Sequence, residues 1–188
     1  MLQPEDPFYI DKVLAGDSSA FAVLVERHKN NVFNICVKIL RNKEEAEEVA
    51  QDTFLQVYEK LNSFKKEAKF STWLFRIAFN KSISQQRKNK AKPLDMEAYF
   101  YETYTEDEWI DSLNLESTEE RERKLKCTIA KLEPEQQLLL QLYYDKDMSV
   151  SEVAKIMNLT ESNVKVKIHR ARQRLFKLMQ PITPSKTA

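Results

Sequence analysis

SVSEVAKIMN (residues 149–158) runs directly into LTESNVKVKIHRARQRLFKLM (residues 159–179), and these two segments decide how the chain reads. In the first, Val150, Val153, Ala154 and Met157 recur at i, i+3, i+4 and i+7, the spacing of one apolar helix face. Ser149 and Glu152 form a capping box that marks where this helix begins. Thr160 is placed to cap a second helix with an apolar stripe of Val164, Ile168, Ala171, Leu175 and Leu178. The remaining faces carry Lys165, Lys167, His169, Arg170, Arg172, Arg174 and Lys177, and no acid follows Ser162. A helix-turn-helix whose second helix packs by one stripe and shows positive charge elsewhere suits a duplex groove. A merely solvated basic face and a membrane-surface helix are the competing readings.

Outward from this motif, the composition is that of an all-α protein. The 188 residues are 31% charged, helical spacing recurs throughout, and Gly16 is the single glycine, which argues against tight-turn folds and phosphate-cradling loops. No stretch reaches transmembrane length and no secretory leader is evident, so a cytoplasmic chain without membrane insertion is expected. Cys36 and Cys127 form no CxxC pair and are expected to be small buried or half-buried apolar residues.

The net charge of +1 hides segregation. Residues 93–120 hold ten acids and no Lys or Arg, directly after the basic run of Arg87, Lys88, Lys90 and Lys92. Helical periodicity lapses there, and Ser117 with Glu120 offers another capping box. The expected organisation is therefore two small helical domains, residues 1–92 and 117–180, joined by an acidic flexible linker at 93–116, with a tail at 181–188.

In the first domain a short helix is expected at 7–15, ending at Gly16, with Asp17 or Ser18 capping the next. A long helix at 20–40 carries Phe21, Leu24, Val25, Val32, Ile35, Cys36 and Ile39 on its apolar side. Asn42 and Glu45 cap a third, whose inner stripe is Ala46, Val49, Ala50, Phe54, Val57 and Leu61. Its outer face shows Glu44, Glu45, Glu47, Glu48, Gln51, Asp52 and Glu59. With no histidine or second acidic helix in pattern, a metal site is disfavoured, leaving a solvated face or, more sharply, a docking face for a basic partner, and no cofactor is expected. Residues 64–90 then interleave aromatics with cations: Phe64, Lys65, Lys66, Lys69, Phe70, Trp73, Phe75, Arg76, Phe79, Lys81, Arg87 and Lys88. Aromatics offer platforms for unstacked bases and cations track phosphates. Helix packing is the competing role, chiefly for Trp73 and Ile77.

EEAEEVAQDTFLQVYEKLNSF (residues 44–64) with FSTWLFRIAFN (70–80) resembles region 2 of bacterial sigma factors of the extracytoplasmic-function group. LEPEQQLLLQLYYDKDMSVSEVAKIMNLTESNVKVKIHRAR (132–172) is similar to their region 4. The resemblance implies a subunit without enzymatic activity that binds core RNA polymerase, recognises the –10 and –35 promoter elements and promotes opening of the DNA. Glu45, Glu48, Gln51, Asp52 and Phe54 fall where the family docks on the clamp helices of the largest polymerase subunit. The flap of the second-largest subunit is the other implied polymerase contact. Phe64, Lys65, Lys66, Lys69, Trp73, Arg76, Asn80 and Arg87 are the implied –10 contacts, with Phe64 and Asn80 at a captured base. Asn163, Lys165, His169 and Arg170 match positions that read the –35 element, while Lys167, Arg172 and Arg174 meet phosphates. An anti-sigma partner, of the type often anchored in a membrane, is implied only by analogy. A helix-turn-helix regulator without a sigma role is the alternative, but it leaves the acidic and aromatic-basic segments unexplained.

Overall fold

A computed structural model describes residues 5–90 and 118–179 of the chain. The expected linker, the Ser117–Glu120 capping pair and the tail lie outside the described residues or side chains. Every regular element among the described residues is helical.

Helix α1 (Asp6–Leu14) ends beside Gly16, whose φ of +102° is a conformation that few side chains tolerate. The chain then turns through Asp17, where the Ser19 hydroxyl donates to the Asp17 carboxylate at 2.5 Å, into α2 (Ala20–Leu40). Leu24, Val32, Ile35, Cys36 and Ile39 of α2 are all buried, as their spacing requires. Arg41, in the left-handed region at φ 57°, breaks the helix, and Asn42 accepts from the Glu45 backbone N–H at 2.9 Å to start α3 (Lys43–Lys60). The inner stripe of α3 is buried along its length, together with Thr53, whose hydroxyl donates to the Val49 carbonyl at 2.7 Å. After a 3₁₀ turn (Leu61–Ser63) and a loop comes α4 (Phe70–Lys90). Leu74, Phe75, Ala78 and Phe79 of α4 face inward, while Trp73 and Ile77 are half-buried rather than full core members.

The second half comprises α5 (Thr118–Ile129), α6 (Pro134–Leu140), a π-turn (Gln141–Asp145), α7 (Val150–Met157) and α8 (Glu161–Met179). Both bonds of the Ser149–Glu152 capping box form at the start of α7. Asn158 closes α7 at φ 56°, a left-handed cap that Asn tolerates, and the Asn163 N–H reaches Thr160 Oγ1 at 3.2 Å to open α8. Ile156, outside the stripe read from the sequence, is also fully buried.

The two halves share one apolar core. Residues of α1 to α4 and of α6 to α8 belong to a single continuous cluster, from Ile10 and Leu24 to Leu138, Ile156 and Val164. Helix α2 meets α6 and helix α4 meets α7. Polar ties cross the same boundary: Arg41 donates to the Leu132 carbonyl at 3.3 Å, and Lys69 pairs with Glu152 at 3.1 Å. A fully buried Leu, Ile or Val contributes about 1.5–3 kcal/mol, so these apolar contacts outweigh the ion pair in holding the halves together.

Candidate polymerase and nucleic-acid surfaces

The outer face of α3 presents Glu48, Gln51 and Asp52 to solvent. Glu45 is drawn toward the end of α4, where Asn89 Nδ2 donates to its carboxylate at 2.6 Å. Asp52 reaches Lys81 of α4 at 3.4 Å. Phe54 departs from the expected docking set: at four residues past Ala50 and three before Val57 it sits on the inner stripe, only 9% exposed, and acts through packing. Its place on the outside is taken by Leu55, 64% exposed, and Tyr58, whose ring meets Phe21 edge-on at 5.0 Å. Both escaped the sequence reading, although neither fits the inner stripe of α3. The face is thus carboxylate-rich, with Leu55 and Tyr58 exposed among the acids. No group of acids, histidines and cysteines suited to a metal occurs among the described residues.

The loop from α3 to α4 builds a second site. Leu61 is buried as its anchor, Ser63 Oγ donates to the Lys60 carbonyl at 2.6 Å, and Lys66, at φ 57°, ties the loop to Asp11 of α1 at 2.5 Å. This places the Phe64 ring 5.2 Å from Trp73 and edge-on to Phe70 at 5.8 Å. Phe64, Trp73, Arg76, Lys65, Ser63 and Thr72 line a cavity of about 310 Å³, which Lys155 of α7 also borders. The Thr72 hydroxyl is buried beneath this wall with no hydrogen-bond partner. Arg76 is exposed, and a guanidinium lining the same cavity as the Phe64 and Trp73 rings suits a base edge or a phosphate. Asn80, one helical turn beyond Arg76, lines a different groove of about 340 Å³ with Asp52, Gln56, Lys81 and Lys88. The structure therefore does not bring Phe64 and Asn80 into one cavity. Arg87 is exposed farther along α4.

On α8, Asn163, Lys165, His169, Arg170 and Arg172 are exposed while Val164, Ile168 and Ala171 are buried. Lys167 and Arg174 turn toward α6, where Glu135 and Glu133 meet them at 3.5 and 3.8 Å. Arg172 borders an apolar cleft between α5, α6 and α8, lined by Leu125, Ile129, Leu140, Tyr144 and Leu175 and flanked by Lys38. Val166 stands 46% exposed amid the polar residues of α8, an apolar contact that charge counting overlooked. Cys127 is exposed, contrary to expectation, whereas Cys36 is fully buried. No described helix is long and apolar enough to cross a membrane.

Residues 24–92 match the family model of Sigma-70 region 2, and residues 122–175 match that of Sigma-70, region 4. The chain is 33% identical over 185 residues to the ECF RNA polymerase sigma factor SigW of Bacillus subtilis, covering 92% of this chain and 96% of that protein. It is 28% identical over 190 residues to the RNA polymerase sigma-H factor of Pseudomonas aeruginosa, covering 97% of each. Among solved structures it shares its fold with CnrH in complex with the cytosolic domain of CnrY, at a TM-score of 0.62 and 23% identity over 90% of this chain and 94% of that one. The sigma factor RpoE of Bartonella quintana, solved with the anti-sigma factor NepR, gives the same TM-score and identity over 85% of this chain and 96% of that one.

Proposed function

The chain belongs to the sigma-70 family of RNA polymerase sigma factors, in its extracytoplasmic-function group, and on that premise we propose how its surfaces divide the work of transcription initiation. It joins core RNA polymerase, recognises the –10 and –35 promoter elements and promotes strand opening, within the bacterial cytoplasm. It forms and breaks no covalent bond; opening draws on the binding energy of captured bases, since unstacking a base costs a few kcal/mol.

The α3 face of Glu48, Gln51, Asp52, Leu55 and Tyr58 docks on the clamp helices of the largest polymerase subunit, with Glu45 at its border. The cleft of Leu125, Ile129, Tyr144 and Leu175 takes the flap of the second-largest subunit. Phe64, Trp73 and Arg76 receive an unstacked base of the –10 strand while Lys65, Lys66 and Lys69 follow its phosphates. Asn80 and Arg87, farther along α4, meet the adjoining DNA. In α8, Asn163, Lys165, His169 and Arg170 read the –35 element in the major groove, and Val166 is placed to contact a thymine methyl. Arg172, Lys167 and Arg174 position the helix on phosphates, the latter two after exchanging their α6 carboxylates for the backbone. Residues 1–92 and 117–180 serve as the –10 and –35 domains. The acidic stretch at 93–116 connects them, and extended chain of that length could span roughly 80 Å. An anti-sigma protein, of the type often anchored in a membrane, is proposed as a regulator by analogy with the family.

The single observation that carries this reading is the aromatic-and-arginine cavity between the α3–α4 loop and α4, on the same chain as a helix-turn-helix with an exposed basic second helix. The test is co-elution of the purified chain with bacterial core RNA polymerase by size-exclusion chromatography. Stoichiometric association is expected, and Asp52→Lys and Leu55→Asp should each reduce it at least tenfold while leaving the helical circular dichroism unchanged. Tight duplex binding by the chain alone, without polymerase association, would return the reading to an ordinary helix-turn-helix regulator.

A further inference from the structure

The loop between α3 and α4 carries one wall of the base cavity, yet its own backbone does little to hold its shape. The Phe64 N–H donates to the Leu61 carbonyl at 3.1 Å, and the next such bond runs from the Thr72 N–H to the Lys69 carbonyl at 3.0 Å. Among the described residues, no backbone N–H of residues 65–69 donates to a backbone carbonyl. Within this stretch Lys66 has φ 57°, the left-handed region that a glycine enters freely and a lysine only at a cost. Its ammonium crosses to Asp11 of α1 at 2.5 Å. Helix α1 is a fixed post for that contact, because Ile10 is fully buried and Asp6 is bonded to Arg27 and His28 of α2. Phe64 stands between the two elements. Its ring lies 5.2 Å from Trp73 in the base cavity, and with Lys66, Phe70 and Arg27 it also lines a second cavity against α1. An exposed acid beside a loop that receives DNA repels the strand through space, so Asp11 is out of place there unless it does something for the loop.

We propose that Asp11 is a positioning residue for base capture: by holding the Lys66 ammonium it keeps the loop in the left-handed bend that sets Phe64 beside Trp73. The proposal rests on the base-capture reading of the cavity and adds to it a residue of α1 that touches no DNA itself. A lysine ammonium has three hydrogens, so Lys66 keeps Asp11 and still has donors for a phosphate. Two effects of opposite sign therefore meet at Asp11. Its charge opposes a DNA strand, but salt screens that repulsion over about 8 Å at physiological ionic strength. Its pair with Lys66 is a direct contact, and it prearranges the loop so that less ordering remains to be done when a base enters. The second effect is the larger, and the acid on α1 strengthens single-strand binding.

The test uses holoenzyme reconstituted from the full chain and bacterial core RNA polymerase. It reads the fluorescence anisotropy of labelled single-stranded DNA 12-mers of mixed sequence, with core enzyme alone as the baseline. Asp11→Asn should weaken binding roughly two- to fivefold, the range of an exposed ion pair, although it removes a negative charge. Asp11→Glu, which keeps the pair, should bind like the parent. Asp147→Asn, the same change of net charge on an exposed residue between the π-turn and α7, reports the effect of charge alone and should not weaken binding. Lys66→Gly supplies a residue that takes the bend unaided, so in that background Asp11→Asn should cause no further loss. The proposal is overturned if Asp11→Asn binds as well as the parent, or if Asp11→Glu is as weak as Asp11→Asn. It is equally overturned if Asp11→Asn costs the same with and without Lys66→Gly, since the acid then acts elsewhere than through Lys66. Arg76→Ala separates these results from failure of the underlying reading. That variant should lose single-strand binding; if it binds like the parent, the cavity is not a base site and the proposal falls with it.

Discussion

Individual side chains show how surroundings assign different fates to the same residue type. Cys36 is fully buried, which pushes its thiol above the usual range, with a weaker opposing contribution from a hydrogen bond to Ser82. Cys127 is exposed. An alkylating reagent at neutral pH should therefore modify the exposed Cys127 in the folded protein and Cys36 only after denaturation, read by intact mass; prompt double labelling would contradict the buried position. Thr53 and Thr72 form a second contrast. The Thr53 hydroxyl donates to the Val49 carbonyl, whereas the Thr72 hydroxyl is buried without a partner. An unsatisfied buried hydroxyl costs on the order of 1–3 kcal/mol. Thr72→Val should consequently leave the midpoint of chemical denaturation unchanged or raise it, by up to about 1 kcal/mol in stability. A loss of 2 kcal/mol or more would mean that this oxygen is bonded after all.

Single elements are placed by their ends as much as by their faces. Helix α1 is fastened to α2 by Asp6, which lies 2.8 Å from His28 Nε2 and 3.1 Å from Arg27 Nη1. The His28 hydrogen bond, followed by its charge and the Arg27 contacts, overcomes burial and holds the Asp6 carboxyl below its ordinary value. A carboxylate depressed in the folded state stabilises the fold above its unfolded pKa, and that contribution is lost as pH falls through the lowered folded value. Asp6→Asn should thus be less stable than the parent at neutral pH, with the gap closing as the solution is acidified below about pH 4. Urea titrations of both proteins across that range measure it; a gap independent of pH would show that Asp6 acts through shape and not charge. Glu152, at the first turn of α7, follows the same sign. Burial would raise it, but the Ser149 N–H and hydroxyl and the Lys69 ammonium more than offset this and hold it below normal, so acid weakens both the cap and the tie to Lys69.

At the scale of the whole molecule, the continuity of the core makes a prediction that two independent domains would not. Because the buried faces of α2 and α4 pass directly into those of α6 and α7, the halves should unfold together. Scanning calorimetry is expected to give one transition, whose calorimetric and van't Hoff enthalpies agree. Two resolved transitions would indicate halves that meet without stabilising each other. The same continuity couples recognition surfaces that lie far apart in sequence, since moving α7 off α4 alters the surroundings of the base cavity and the orientation of α8 at once.

Much of this was legible from the chain because it depends on neighbours only a few residues apart. The apolar stripes of α2, α3, α7 and α8, the caps at Asn42, Ser149 and Thr160, and the exposed polar side chains of Asn163, Lys165, His169 and Arg170 follow from helical period and local hydrogen bonding. The two family-like segments carried the function for the same reason, each being a contiguous run. What the sequence could not supply are relations across long separations. That Asn89 takes Glu45 inward, that Glu133 and Glu135 hold Arg174 and Lys167, and that Phe64 and Asn80 open on different concavities all depend on which helices become neighbours. Local periodicity says that a helix has an apolar face but not which face will cover it. Only the tertiary packing, which joined α7 to α4, decided that the two halves would share one core.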